Sequence, residues 1–189
     1  MKRSSVDTKA AILAAARERF AAVGFQGATI RAIAAEAGID PAMVMRYFGS
    51  KDELFAAAAD YNLELPDLTG VDRSRLGAAV VGHFLNRWEG DEALGLLVRS
   101  ATTNADAAAR MHRIFGEQLL PVVAAVVPAE VAAQRAGLIA TQILGFALCR
   151  FVLELPPVVA MSRDDIVSWL GPTIQSYLET DPRADTGQL

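Results

Sequence analysis

The 189-residue chain is poor in the residues that usually carry chemistry. It has a single cysteine, Cys149, so no internal disulfide can hold the fold. Its two histidines, His83 and His112, lie far from Cys149 in sequence, and no His/Cys/Asp cluster stands at ligand spacing. GxSxG, HExxH, CxxC and a glycine-rich phosphate loop are all missing, which speaks against an enzyme and predicts neither metal nor cofactor. The longest uncharged run, 136–149, is shorter than the roughly 18 apolar residues of a membrane span and predicts a buried helix. The opening MKRSSVDTKAAILAAARERF meets Asp7, Arg17, Glu18 and Arg19 before any long apolar stretch, unlike a signal peptide. A cytoplasmic protein without a membrane partner is expected. Sustained apolar/polar alternation, the mark of a sheet, is missing too.

What remains is helical period almost throughout, so the expected fold class is all-α. A first helix spans about 8–23, with Ile12, Ala16, Phe20 and Val23 on one face and Gly24 as its stop. A second begins at Thr29 as N-cap and ends at Gly38. A third opens with Asp40 as N-cap and Pro41 at the first helical position, and Gly49 stops it after about two turns. Ser50 and Glu53 have capping-box spacing and start a fourth helix carrying Leu54, Phe55 and Ala58 inward. Past a connection holding Pro66 and Gly70, further helices are expected near 72–88, 91–103, 105–126, 129–155 and 163–179. The expected division is a small helical head over 1–55, a larger helical bundle over 56–180, and a polar tail over 181–189.

The third helix is too short to be useful core, yet it is delimited by caps and glycines on both sides. Helix, tight glycine turn and second helix form the helix-turn-helix arrangement, whose second helix enters the DNA major groove. Val44 and Phe48, four apart, can pack inward and leave Ala42, Met43, Met45 and Arg46 outward. Arg46 can take guanine O6 and N7 together, and the apolar groups suit thymine methyls. Thr29, Tyr47 and Lys51 around this face suit phosphates. Charge agrees: residues 1–55 carry eight Lys/Arg against six Asp/Glu, a net +2 on a chain of net −4. Double-stranded DNA is the expected partner, and a helical protein-interaction module without sequence-specific DNA binding is the alternative.

Residues 8–60 resemble the N-terminal DNA-binding region of the TetR family of bacterial transcriptional regulators. The likeness rests on Phe20 with Gly24-Phe25, on Thr29-Ile30-Arg31-Ala32-Ile33-Ala34, on Gly38-Ile39, and on Tyr47-Phe48-Gly49-Ser50-Lys51-Asp52-Glu53-Leu54. It implies a homodimer, a ligand-responsive C-terminal bundle and repression as the usual mode of action. Carried over, Thr29, Tyr47 and Lys51 contact phosphates, while Arg31, Pro41, Ala42, Met43, Met45 and Arg46 lie at or near base edges. The chain departs from the family at Met43-Val44-Met45, where threonine, leucine and tyrosine are common, so the base preference of relatives does not transfer.

A single recognition helix reads few base pairs, so a second copy is expected, its helix about 34–36 Å away. Gly137, Thr141, Gly145 and Cys149 recur every four residues as a stripe of small side chains, and with Trp169 and Ile174 of the last helix they are the expected dimer surface. The helices over 72–126 mix apolar bulk with a few polar groups, as a cavity for a small, largely apolar effector requires. His83, Trp88 and Gln142 are the expected pocket contacts.

Overall fold

The computed structural model describes residues 4–88 and 92–179, and all regular structure among them is helical. Two compact units form: residues 4–61 with 92–112, and residues 62–88 with 113–179. The chain therefore passes from one unit to the other three times: after Tyr61, between Trp88 and Glu92, and after His112. This packing division differs from one at residue 55, because the first unit also takes in two helices from the middle of the chain.

The first unit contains α1 (Ser5–Gly27), α2 (Ile30–Ala37), α3 (Pro41–Phe48), α4 (Lys51–Ala58), α6 (Glu92–Ser100) and α7 (Ala105–Arg113). Ser4 and Asp7 form a complete capping box at the start of α1, earlier than the expected residue 8. Gly24, at φ 70°, kinks the helix instead of ending it. Val23, expected inward, is 44% exposed just before this kink. Ile12, Ala16 and Phe20 are buried, and α1 packs on α2, α4 and α6. Phe20 meets Phe55 edge to face at 5.1 Å and Phe25 stacked at 5.9 Å, a cluster that anchors α4 against α1. Arg17 donates to the Ala58 carbonyl and so caps the far end of α4.

The second unit contains α5 (Leu76–Trp88), α8 (Leu120–Ala124), α9 (Ala129–Ala147), α10 (Pro156–Val159) and α11 (Arg163–Glu179). Its first helix was expected from 72; two short 3-10 turns, capped by Asp67 and Asp72, occupy Leu68–Gly70 and Arg73–Arg75 instead. α11 packs along α5, and their closest approach is between glycines: a Cβ on Gly77 would lie 2.2 Å from the Gly171 carbonyl oxygen. Val81, Leu85, Ile139, Ile166, Ile174 and Leu178 are fully or almost fully buried. Trp88 stacks on Phe151 at 4.8 Å and tilts against Phe84 at 5.4 Å.

The expected helix over 105–126 contains a π-helical turn, Ile114–Leu119, before α8. Its cause is local. An α-helical turn at Pro121 would drive the proline ring into the carbonyl of residue 117, and the wider π turn relieves that clash. The Leu120 amide accordingly reaches back five residues to Phe115. A second π turn, Leu148–Val152, extends α9.

Residues 129–152 are long and apolar enough to cross a membrane by length and composition alone. The run 136–149 within them was expected as a buried helix, but only one side of this helix is buried: Ala132, Arg135, Ala136, Ile139 and Ala147 face inward, while Leu138, Thr141, Gly145 and Leu148 are exposed. The polar tail expected over 181–189 lies outside the described residues.

Candidate nucleic-acid interface

The order of caps in the sequence is reproduced in the local geometry. Thr29 Oγ1 accepts from the Ala32 amide at 3.1 Å and starts α2. Gly38, left-handed at φ 65°, ends it, and the Ile39 amide turns back to the Ala34 carbonyl at 2.9 Å. Two residues later Asp40 accepts from the Ala42 amide at 2.7 Å, with Pro41 opening α3. Gly49, at φ 76°, closes α3 by donating to the Met45 carbonyl. Ser50 then accepts from the Glu53 amide and starts α4. Only this half of the expected capping box forms, because the Ser50 amide donates to the Phe48 carbonyl instead.

Pinned in this way, α3 turns Val44 and Phe48 into the core and leaves Ala42, Met45 and Arg46 exposed, with Met43 half-buried. Met45 shows 42% of its surface and lies next to the exposed Arg46. Cations surround this surface. Lys51 Nζ sits 4.4 Å over the Phe25 ring and Lys9 Nζ 5.6 Å over Phe48, so each ammonium is held over an aromatic face. The Arg46 guanidinium lies 5.7 Å from the Tyr47 ring, and Arg31 and Pro41 are exposed. The Tyr47 hydroxyl donates to Ser5 Oγ at 3.2 Å, tying the end of α3 to the start of α1. Lys9 and Ser5 escape sequence reasoning because they are 39 and 42 residues from their partners Phe48 and Tyr47; their only trace is the four-residue spacing that puts both on one side of α1.

The residues expected in the effector pocket take separate partners. His83 Nε2 donates to the Leu63 carbonyl at 2.8 Å, and Gln142 donates to the Tyr177 hydroxyl at 3.3 Å. Trp88 is enclosed by Phe84 and Phe151. An open cleft of about 480 Å³ occurs elsewhere in the second unit, walled by Val71, Ala78, Ala79 and Val167, with Asp72 and Arg75 among its lining residues. None of the three expected contacts lines it. Among the expected dimer residues, Ile174 is corrected: it is wholly buried within its own subunit, because its side of α11 faces the core. Trp169, on another side of the same helix, is 75% exposed, and Gly137, Thr141, Gly145 and Cys149 are exposed or half-buried. A Cβ built on Gly137 or Gly145 meets no atom within 4 Å, so nothing in the same subunit fills this stripe.

Comparison with known proteins agrees with this geometry. The model of "Bacterial regulatory proteins, tetR family" matches residues 12–58, and that of "Tetracyclin repressor-like, C-terminal domain" matches residues 74–178. The chain belongs to the TetR family. A TetR-family regulator from Streptomyces coelicolor A3 is 28% identical, with 95% of this chain and 98% of that one covered at a TM-score of 0.62. A TetR-like transcriptional regulator from Rhodococcus sp. RHA1 has the same fold at 20% identity, with 94% and 96% covered and a TM-score of 0.66. No curated protein matches the sequence. This TetR-family protein is thus a transcriptional regulator with a DNA-binding helix-turn-helix head. TetR-family regulators are in general non-enzymatic; they typically dimerise and bind small-molecule effectors.

Proposed function

We propose that this TetR-family protein is a repressor that binds a palindromic operator as a homodimer and releases it when a small, largely apolar effector binds the body. The observation that carries the reading is α3: a helix of eight residues, capped at both ends, with Val44 and Phe48 anchored and the Met45 and Arg46 face uncovered among cations. On this reading Arg46 reads a guanine edge, and Ala42, Met43 and Met45 pack on thymine methyls. Arg31 and Pro41 lie beside the groove, while Thr29, Tyr47 and Lys51 hold phosphates.

The dimer surface is the outer side of α9 and α11, where Gly137, Thr141, Gly145, Cys149 and Trp169 remain uncovered by their own subunit. The cleft beside α5 has the volume of a small-ligand site, and its Val and Ala walls suit an apolar body. Such a ligand acts only through a difference in affinity between the dimer geometry that fits the operator and one that does not.

The test is selection of bound duplexes from a genomic or random pool by the purified protein at two salt concentrations. Enrichment of a palindrome that weakens with added salt supports the reading. Failure to retain any duplex in a salt-dependent way would overturn it, and the exposed face of α3 would then be a protein-docking surface.

A further inference from the structure

The cleft of the second unit is bounded by the turns before α5, by one side of α5 and by the start of α11. α5 turns its large side chains inward, with Val81 and Leu85 fully buried, and gives the cleft only Ala78, Ala79 and Gly82. A Cβ built on Gly82 meets no atom within 4 Å, so the space beside it is open. Val71 and Val167 complete an aliphatic wall. From Arg75 to Gly82 this wall follows the chain for about 10 Å at the helical rise.

The cleft also has two charged lining residues, Asp72 and Arg75, and they differ in how far their bonding capacity is used. Asp72 Oδ1 accepts from the Ser74 amide at 2.9 Å and from the Ser74 hydroxyl at 2.6 Å. These bonds cap the turn Arg73–Arg75 and hold the carboxyl below its ordinary value, so Asp72 already serves the chain as an anionic cap. The Arg75 guanidinium, by contrast, makes no hydrogen bond or ion pair with any described residue; only the charge of Asp72 attracts it. A guanidinium is donor-only, and its planar fork matches the two oxygens of a carboxylate. The fixed charge of Asp72 beside it repels a second negative charge, so a monoanion suits the place better than a phosphate dianion.

We infer that the cleft binds an aliphatic monocarboxylate, its carboxylate on Arg75 and its chain laid along Ala78, Ala79 and Gly82 between Val71 and Val167. Arg75 is exposed, so the head stays at the rim in contact with water while the chain is withdrawn from it. This narrows the small, largely apolar effector to one with a single acidic head, and it rests on the effector reading only for its consequence at the operator.

The test is calorimetric titration of the full-length protein with octanoate, octanol and octyl phosphate, followed by affinity for the duplex selected above with and without octanoate. Octanoate should bind about tenfold or more tighter than either relative, the margin of a charge-assisted pair. Arg75→Gln should remove that margin, and Arg75→Lys, which keeps the charge without the fork, should keep part of it. Gly82→Leu should fill the cleft and abolish octanoate binding with helicity and unfolding temperature preserved, because the space beside Gly82 is open. Octanoate bound no tighter than octanol, or as tightly by Arg75→Gln as by wild type, would overturn the carboxylate head. Unimpaired binding to a folded Gly82→Leu would overturn the placement in the cleft, and no binding to wild type would overturn both. If octanoate binds as described but leaves duplex affinity unchanged, the release reading falls, and if no duplex is selected the DNA-binding reading falls; in both cases the titrations still decide the ligand class.

Discussion

The side-chain oxygen of Gln175 accepts a hydrogen bond from the Gly77 amide at 2.7 Å, so a residue of α11 caps the first turn of α5. The same side chain donates to the Arg73 carbonyl at 2.6 Å, which joins the 3-10 turn, α5 and α11 at one point. Gly77 must be bare for this joint to close, because an added Cβ would meet the Gly171 carbonyl oxygen at 2.2 Å and the Gln175 amide nitrogen at 2.6 Å. Both obstacles are backbone, which cannot swing aside. Gly77→Ala should therefore destabilise the protein by about 3 kcal/mol, at the upper end of overpacking costs. Thermal or denaturant unfolding measures this directly, and a stability within 0.5 kcal/mol of wild type would contradict the glycine contact.

Gly145 gives the opposite expectation. A Cβ there meets nothing within 4 Å of its own subunit. Gly145→Leu should leave the subunit's helicity intact, while a partner packed on that stripe would be pushed away. Sedimentation should then show monomer where the wild type is dimeric. A variant dimer as tight as the wild type would move the interface off α9.

Lys51 and Arg46 should fail differently. Lys51→Ala removes a phosphate contact, so affinity should fall about equally on all sequences, with the slope of log K against log salt reduced by about 1. Arg46→Ala should relax preference at one base position by roughly 1–3 kcal/mol. Binding to a panel of single-base variants separates the two. Uniform losses for both would remove Arg46 from the base edge.

Much of the head can be read in the sequence because its signals are local. Thr29, Gly38, Asp40, Pro41, Gly49 and Ser50 each act within a few residues, and all take the roles their types suggest. The body is harder to read because its decisive relations are long-range: Gly77 with Gly171, Gln175 with Arg73, Gln118 with Leu63. The π turn before Pro121 keeps the apolar content of a helix while changing which side it presents, so period alone misses it. Ile174 misleads for a related reason. The last helix is apolar on more than one side, and nothing in its spacing tells the core side from the outer one.

Acid should loosen the entrances to α5 and α11. Hydrogen bonds from Thr69, Ser74 and Ser162 hold the carboxyls of Asp67, Asp72 and Asp165 below their ordinary value of 3.8. A depressed carboxyl pKa stabilises the fold fully above its unfolded value, and that contribution is lost as pH falls through the folded one. The caps should hold at pH 5 and release below 3.8. Side-chain carboxyl titration by NMR checks this, and midpoints at or above 3.8 would contradict the capping hydrogen bonds.

The chain has two tryptophans, and the fold gives them opposite surroundings: Trp88 lies stacked on Phe151, and Trp169 is 75% exposed. Their fluorescence therefore reports on two different events. A soluble quencher such as iodide should reach Trp169 and spare Trp88, so covering α11 by a second copy would protect the quenchable fraction without altering the buried signal. Unfolding would instead expose Trp88 and shift its emission to the red. Assembly and loss of structure can thus be told apart in one cuvette, without a label.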